Sequence, residues 1–184
     1  MISLPARDGF DHLLTQAIKA NLVSSCEDRC DVTILSDLSE INETKIVMLT
    51  ISSYLFRLMV FIYFTPNIAT KEHFARINRI RPSDMSEQLF YDSIAEYGNI
   101  CCGAINRNLV TFFPHISMST PNIIDKNCSS HLDVLGCSHI QHFKASVNNV
   151  PPFHFSLGVC NYAALDFAVD DIEESAETGE LEFF

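Results

Sequence analysis

Residues 45–64 read KIVMLTISSYLFRLMVFIYF, a run so apolar that few folds accommodate it. A membrane-crossing helix is one option, since about 20 apolar residues span a bilayer. Against it, Arg57 sits inside the run and Ser52 and Ser53 interrupt it. β-Branched and aromatic residues are also abundant there, which favours strands. Two strands joined by a tight turn at Ser52–Ser53 are expected, with no insertion into a membrane.

The periodicity around that run sets the element order. Asp8 is placed to cap a first helix carrying Phe10, Leu13, Leu14, Ala17, Ile18 and Leu22 at helical spacing and ending near Ser24. Residues 31–36 (DVTILS) read as a strand. Thr65–Pro66 opens a second helix through Phe74 and Ile77, with proline in the first turn. Arg81–Pro82–Ser83 punctuates, and a long third helix runs to about Leu109. Beyond it, 110–120, 133–140, 142–147 and 153–167 are rich in β-branched and aromatic residues and broken by Asn and Pro. Helix, three strands, two helices, then three or four strands describes an α/β (α+β) sandwich of helices on a mostly antiparallel sheet. Phe56, Phe61, Phe64, Phe112, Phe113, Phe153, Phe155 and Phe167 are expected in its core.

The third helix has two unlike sides. Phe90, Ile94, Tyr97, Cys101 and Ile105 form an apolar stripe that must face a core. Opposite them, Asp92, Glu96, Asn99 and Gly103 are spaced 4, 3 and 4. At about 100° per residue they fall within roughly 60° of one another. The front therefore carries Glu and Asn one turn apart with no basic neighbour. Gly103, which costs about 1 kcal/mol against Ala inside a helix, lets another surface approach.

Charge and cysteines bound the function classes. The chain has 184 residues, 47% hydrophobic and 19% charged, as a globular domain does. Its net charge of −11 is concentrated from Asp166 onward, where eight acids meet no Lys or Arg. A domain at 1–169 and an acidic tail at 170–184 follow. Without a basic stripe, nucleic acid and anionic membranes are poor partners. Seven cysteines, an odd number, and no secretory signal at the amino terminus point to reduced thiols in a cytoplasm. The sequons at Asn42 and Asn127 then carry no meaning.

Asp92-x3-Glu96-x2-Asn99-x3-Gly103, followed by Pro121 after a strand-like stretch, resembles the signature of the CheC/CheX/FliY family of chemotaxis phosphatases. The order of elements is similar over about 4–169. Only one Glu-x-x-Asn helix occurs, so the chain is most similar to the single-site CheX branch, which works as a homodimer joined through its sheets. Ser119–Thr120–Pro121 departs from the Leu–Pro–Thr-like order expected there. The resemblance implies hydrolysis of the aspartyl phosphate on a CheY-like response regulator, in chemotaxis or a related two-component pathway. It assigns Asn99 to positioning the attacking water and Glu96 to pairing with the regulator's active-site Lys. Asp92 and Gly103 would extend the contact surface. No cofactor or metal ligand is required of this chain, because Mg2+ belongs to the regulator. The alternative is a non-catalytic module of the same fold that docks a regulator or a flagellar-switch component.

Other constellations read as structural. Cys128, His131, Cys137 and His139 are zinc-ligating types, yet their spacing matches no standard finger. Cys26 and Cys30 read as idle thiols. Cys101 points to the core, while Cys102 lies nearer the flank beside the proposed site. Ser156–Leu157–Gly158 is a strand fragment rather than a nucleophile elbow. Six glycines form no phosphate-binding loop.

Overall fold

The computed structural model describes residues 1–148 and 150–169, with the backbone alone over 129–133. The acidic tail expected at 170–184 lies outside the described residues. The chain forms α1 (Leu4–Asn21), β1 (Cys30–Leu35), β2 (Lys45–Ser52), β3 (Phe56–Phe64), α2 (Ile68–Ile77), α3 (Glu87–Leu109), β4 (Ser117–Met118), β5 (Asn122–Asp125), β6 (His139–Val147) and β7 (Phe153–Asn161). This is an α+β sandwich, three helices on one seven-stranded sheet, in the expected element order.

The apolar run is the hairpin β2–β3, in register from Lys45 opposite Phe64 to Ser52 opposite Arg57. Ser53 closes the turn, its Oγ accepting from the amides of Leu55 at 2.9 Å and Phe56 at 3.2 Å. All named pairings are antiparallel, in the order β1-β6-β7-β3-β2, with β4 and β5 side by side on the outer edge of β2. β3 and β7 occupy the middle and are buried along almost their whole length. A strand covered on both faces has no solvent side to alternate with, which is why 58–64 is apolar throughout, with Arg57 at the strand's partly open start.

One face of the sheet packs against the helices. Phe10, Leu13, Leu14 and Ile18 of α1, and Phe90, Ile94, Tyr97, Cys101 and Ile105 of α3, are buried there. They meet Val47, Leu49, Leu58, Val60, Ile62, Phe155, Leu157 and Val159 from the strands. The opposite face carries a smaller cluster of Ile41, Ile46, Met59, Phe61, Tyr63 and Cys160, joined by Leu38, Ile124, Cys137 and Ile140. Two connections supply its cover. The 36–44 loop is tied down by Glu43 on His154 Nδ1 and by Glu40 on Lys144 Nζ at 2.9 Å. The second is the Lys126–Leu135 stretch of 3-10 type, whose Lys126 Nζ donates to the Ile41 carbonyl at 2.7 Å.

Several boundaries differ from expectation. α1 starts earlier, with Ser3 rather than Asp8 as its cap; Ser3 Oγ accepts from the Ala6 amide at 3.2 Å, and Pro5 occupies the first turn. Asn67 caps α2 by accepting from the Thr70 amide at 2.9 Å, so Pro66 stands outside the helix. Only 117–118 of the 110–120 segment is strand, because Val110 to Phe113 pack back on the last turn of α3. The 133–140 segment yields strand from His139 onward, after Gly136 turns the chain with a positive φ of 68°. β7 stops at Asn161, and Leu165 instead hydrogen-bonds to Met1 and Ser3 beside Ile2. Of the phenylalanines expected in the core, Phe112 alone is exposed, at 40%.

His73 of α2 is the buried polar group most sensitive to pH. Its ring stacks on Phe153, with centroids 5.1 Å apart, and its Nε2 faces the Leu22 carbonyl at 3.1 Å while Nδ1 has no partner. Burial, aided by Arg76, depresses it from 6.5 to about 4. The ring is therefore neutral in the folded protein, and Nε2–H donates. Because the folded value lies below the unfolded one, the unfolded chain binds the extra proton between them, and stability falls as pH drops from about 6.5 to about 4. The loss expected is roughly 3 kcal/mol. Urea denaturation across that window should show it in the native chain and a flatter dependence in His73→Phe.

Candidate functional site

α3 is held rigidly before its outer side is considered. Ser86 Oγ caps it by accepting from the Leu89 amide at 3.2 Å, and Glu87 lies in the first turn, where the helix dipole favours an acid. Arg107 stands in the last turn. Phe90 fixes the first half, edge-on to Phe64 and Phe74 with centroids 5.8 Å away in both cases. Gly98 fixes the middle. A Cβ there would lie 2.7 Å from Leu49 Cδ1 and 3.3 Å from Val47 Cγ1, so the helix approaches β2 as closely as a glycine allows. Toward α1, Cys101 Sγ donates to the Ala17 carbonyl at 3.6 Å.

The front stripe faces away from all of this. Asp92 and Glu96 are exposed, and Asn99 and Gly103 are half-buried. Asn99 Nδ2 donates to Glu96 Oε2 at 3.2 Å, and Gln88 Nε2 donates to Asp92 Oδ1 at 2.8 Å. Among the described residues no Lys or Arg forms an ion pair with Glu96 or Asp92. The four predicted positions thus come together on one helix face, with an amide and a carboxylate already touching.

Gly103 differs from Gly98 in kind. A Cβ at 103 would meet only Arg107 Nη1, at an ordinary 3.6 Å, so the chain's own packing does not require a glycine there. Arg107 and Ile100 were not singled out from the sequence. Arg107 extends the stripe by one turn past Gly103 and lays its guanidinium beside it. Ile100, one turn after Glu96, is 46% exposed. Continuing the i, i+4 spacing finds Arg107, whereas only the structure reveals that Ile100 lacks cover.

Cys102 is not on the flank. It is fully buried, and burial raises the thiols of both Cys101, to about 12, and Cys102. The Cys128, His131, Cys137 and His139 quartet does not assemble. His139 Nε2 faces Asp11 Oδ1 of α1 at 2.8 Å, whereas Cys137 lies on the other side of the sheet against Cys160. The side chain of His131 lies outside the described residues. Cys26 is exposed, and Cys30 is partly buried, which raises its thiol. Ser156 is fully buried between His142 Nδ1 at 2.7 Å and the Tyr63 hydroxyl at 3.0 Å, as a satisfied polar group rather than a nucleophile. Two cavities of about 270 and 290 Å3, one beside Glu43 and His154 and the other beside His73 and Arg76, are lined by none of the stripe residues.

No protein-family model matches the chain, and no curated protein matches it in sequence. Solved structures do match in shape. CheX from Vibrio vulnificus superposes with a TM-score of 0.58 at 16% identity, covering 83% of this chain and 97% of that one. The CheX–CheY–BeF3–Mg2+ complex from Borrelia burgdorferi gives 0.58 at 14%, covering 83% and 96%. The fold is the CheC-like/CheX/FliY fold. It extends to the FliM middle domain of Vibrio alginolyticus, with a TM-score of 0.53 at 8% identity over 85% of this chain and 93% of that one. Within this CheX-like fold the motif-bearing helix is α3. No helix among the described residues is long and apolar enough to cross a membrane.

The two glycines of α3 make opposite predictions. Gly103→Ala should leave the fold intact and raise stability by about 0.5–1 kcal/mol, the helix-propensity gain. Gly98→Val should cost about 1–3 kcal/mol by forcing Leu49 and Val47 out of place. Urea midpoints for the two variants check both.

Proposed function

We propose that this chain is a phosphatase for the aspartyl phosphate of a CheY-like response regulator, acting in chemotaxis or a related two-component pathway. The observation that carries this reading is the Glu96–Asn99 pair on the outer side of a rigid helix, with no Lys or Arg among the described residues in an ion pair with Glu96 and a glycine beside it that the chain's own packing does not need. The CheX-like fold supports it, as does a CheX structure of that fold solved with CheY, BeF3 and Mg2+.

Phosphoryl transfer asks a protein for positioning and charge management more than for covalent chemistry. A carboxamide suits the first task, since its oxygen accepts a hydrogen bond from water and its nitrogen donates one without any change in protonation. Asn99 holds the water in line with the phosphorus. Its bond to Glu96 fixes the plane of the amide, so one N–H is committed and the oxygen is free to accept. Glu96 pairs with the regulator's active-site Lys and sets the docked register through a charge-assisted bond. Asp92 and Gly103 widen the contact. Mg2+ and the phosphate arrive with the regulator, so this chain supplies neither cofactor nor metal ligand. We further propose a cytoplasmic homodimer joined through its sheets, residues 1–169 forming the domain and 170–184 an acidic tail.

A second reading is a docking module of the same fold that binds a regulator or switch component without hydrolysis. The shared fold of the FliM middle domain is what favours it. The two are separated by the phosphate lifetime of a labelled regulator under conditions where binding is demonstrated. Phosphatase action shortens that lifetime, and docking alone does not. Asn99→Ala should abolish the acceleration, a loss of about 100-fold or more, while retaining the complex. Glu96→Ala should weaken the complex by roughly 10- to 100-fold, the worth of a charged hydrogen bond. Undiminished acceleration by Asn99→Ala would remove the mechanism.

A further inference from the structure

The second face of the sheet holds a pair of thiols in contact. Cys137 Sγ and Cys160 Sγ are 3.2 Å apart. Cys160 is the next-to-last residue of β7, and Cys137 lies in the connection between the 3-10 cover segment and β6. Cys160 also donates to the Leu135 carbonyl at 3.2 Å, which anchors the end of the cover from the same atom. Gly158 makes the approach possible. It precedes Cys160 by two residues on the same side of the strand, and a Cβ there would sit 3.1 Å from Cys137 Sγ. Arg57, across the ladder from Cys160, places Nη2 3.8 Å from the Cys160 sulfur. Cys160 is 4% exposed, whereas Cys137 is only partly buried and offers the way in.

We propose that Cys137 and Cys160 form a reversible intramolecular disulfide, a redox-controlled bolt between the cover segment and the central sheet. The sulfurs need approach by little more than about 1 Å to reach bonding distance. The oxidant is a low-molecular-weight disulfide. The Cys137 thiolate attacks one of its sulfurs, that bond breaks, and one half departs as a thiol. The Cys160 thiolate then attacks the Cys137 sulfur of the mixed disulfide, the second half departs, and the new S–S bond remains. Two protein thiols are oxidised, one external disulfide is reduced to two thiols, and the two protein protons pass to the leaving groups.

Arg57 lies beside the resolving sulfur, its Nη2 donating to Cys160 Sγ at 3.8 Å. Burial and the neighbouring Cys160 raise the Cys137 thiol, so the first step accelerates with rising pH. The bolt closes the β6–β7 hairpin at its open end, within the cluster that holds Met59 and Phe61. The other five thiols have no such arrangement. Cys101 and Cys102 are adjacent and buried in α3, and Cys26 and Cys128 are exposed.

The test uses the full chain, treated with oxidised glutathione at about pH 8, where more thiolate forms. Peptide mapping should find Cys137 joined to Cys160, with a mass loss of about 2 Da for the two hydrogens removed. The oxidised protein should melt at higher temperature than the reduced one, and dithiothreitol should restore the original value. Cys137→Ser and Cys160→Ser should each melt like reduced protein and lose the mapped bond. Gly158→Ala, which crowds Cys137 without removing a thiol, should slow bond formation several-fold. Stable glutathione adducts without an internal bond, a bond mapped to another pair, or an unchanged internal bond in Cys137→Ser would each overturn the proposal.

Discussion

The burial of β3 on both faces is the constraint on which this structure depends. A strand reading FRLMVFIYF has no side it can show to water, so the sheet needs two covers. The helices provide one, built around Phe10, Phe90 and Tyr97. The other is assembled from connections too short to hold a helix layer of their own. That second cover is polar at its seams. Glu40 reaches Lys144, Glu43 reaches His154, and Lys126 reaches the Ile41 carbonyl, so each loop is fastened by charge where it lacks apolar area.

The candidate site follows from how tightly the first cover is made. α3 touches β2 through Gly98 and α1 through Cys101, and it is stapled at its start by Phe90 between Phe64 and Phe74. A helix anchored on two sides cannot roll, and its remaining side presents Asp92, Glu96, Asn99 and Gly103 in a fixed array. A group that must hold a water to within a fraction of an ångström gains from such a mount. Loop placement would have surrendered that.

Much of this was legible in the residues. The hairpin announced itself through Ser52–Ser53 inside an apolar run, and α3 through its 3.6 period, which also put Glu96 and Asn99 on one face. What the period could not show was the width of the buried arc. α3 is wedged between a helix and a sheet, so Ser93, Gly98 and Cys102 are buried beside the predicted stripe, and Cys102 was misplaced for that reason. Caps failed where two candidates competed: Ser3 ahead of Pro5 outdid Asp8, and Asn67 outdid Pro66, because each winner's side chain reaches an otherwise unpaired amide. The 110–120 segment looked like a strand because Val, Thr and Phe are strand formers, yet tertiary contact with the end of α3 overrode that preference. The thiol pair was invisible, since Cys137 lies in the connection before β6 and Cys160 in β7, and no spacing rule joins them.

The two faces divide the chemistry of the molecule. Carboxylate and carboxamide stand on the outer side of the helix layer, while the sulfurs lie beyond the opposite side of the sheet. Between them runs β3, close-packed along both faces from Phe56 to Phe64. Close-packed interiors transmit a displacement only where side chains have somewhere to move, and Leu49 and Ile62 are pinned under Gly98. The proposed Cys137–Cys160 bond therefore acts within the second-face cluster, across β3 from Glu96 and Asn99. On this geometry the proposed bond bears on the stability of the second face, and the Asp92–Gly103 array on α3 stands apart from it.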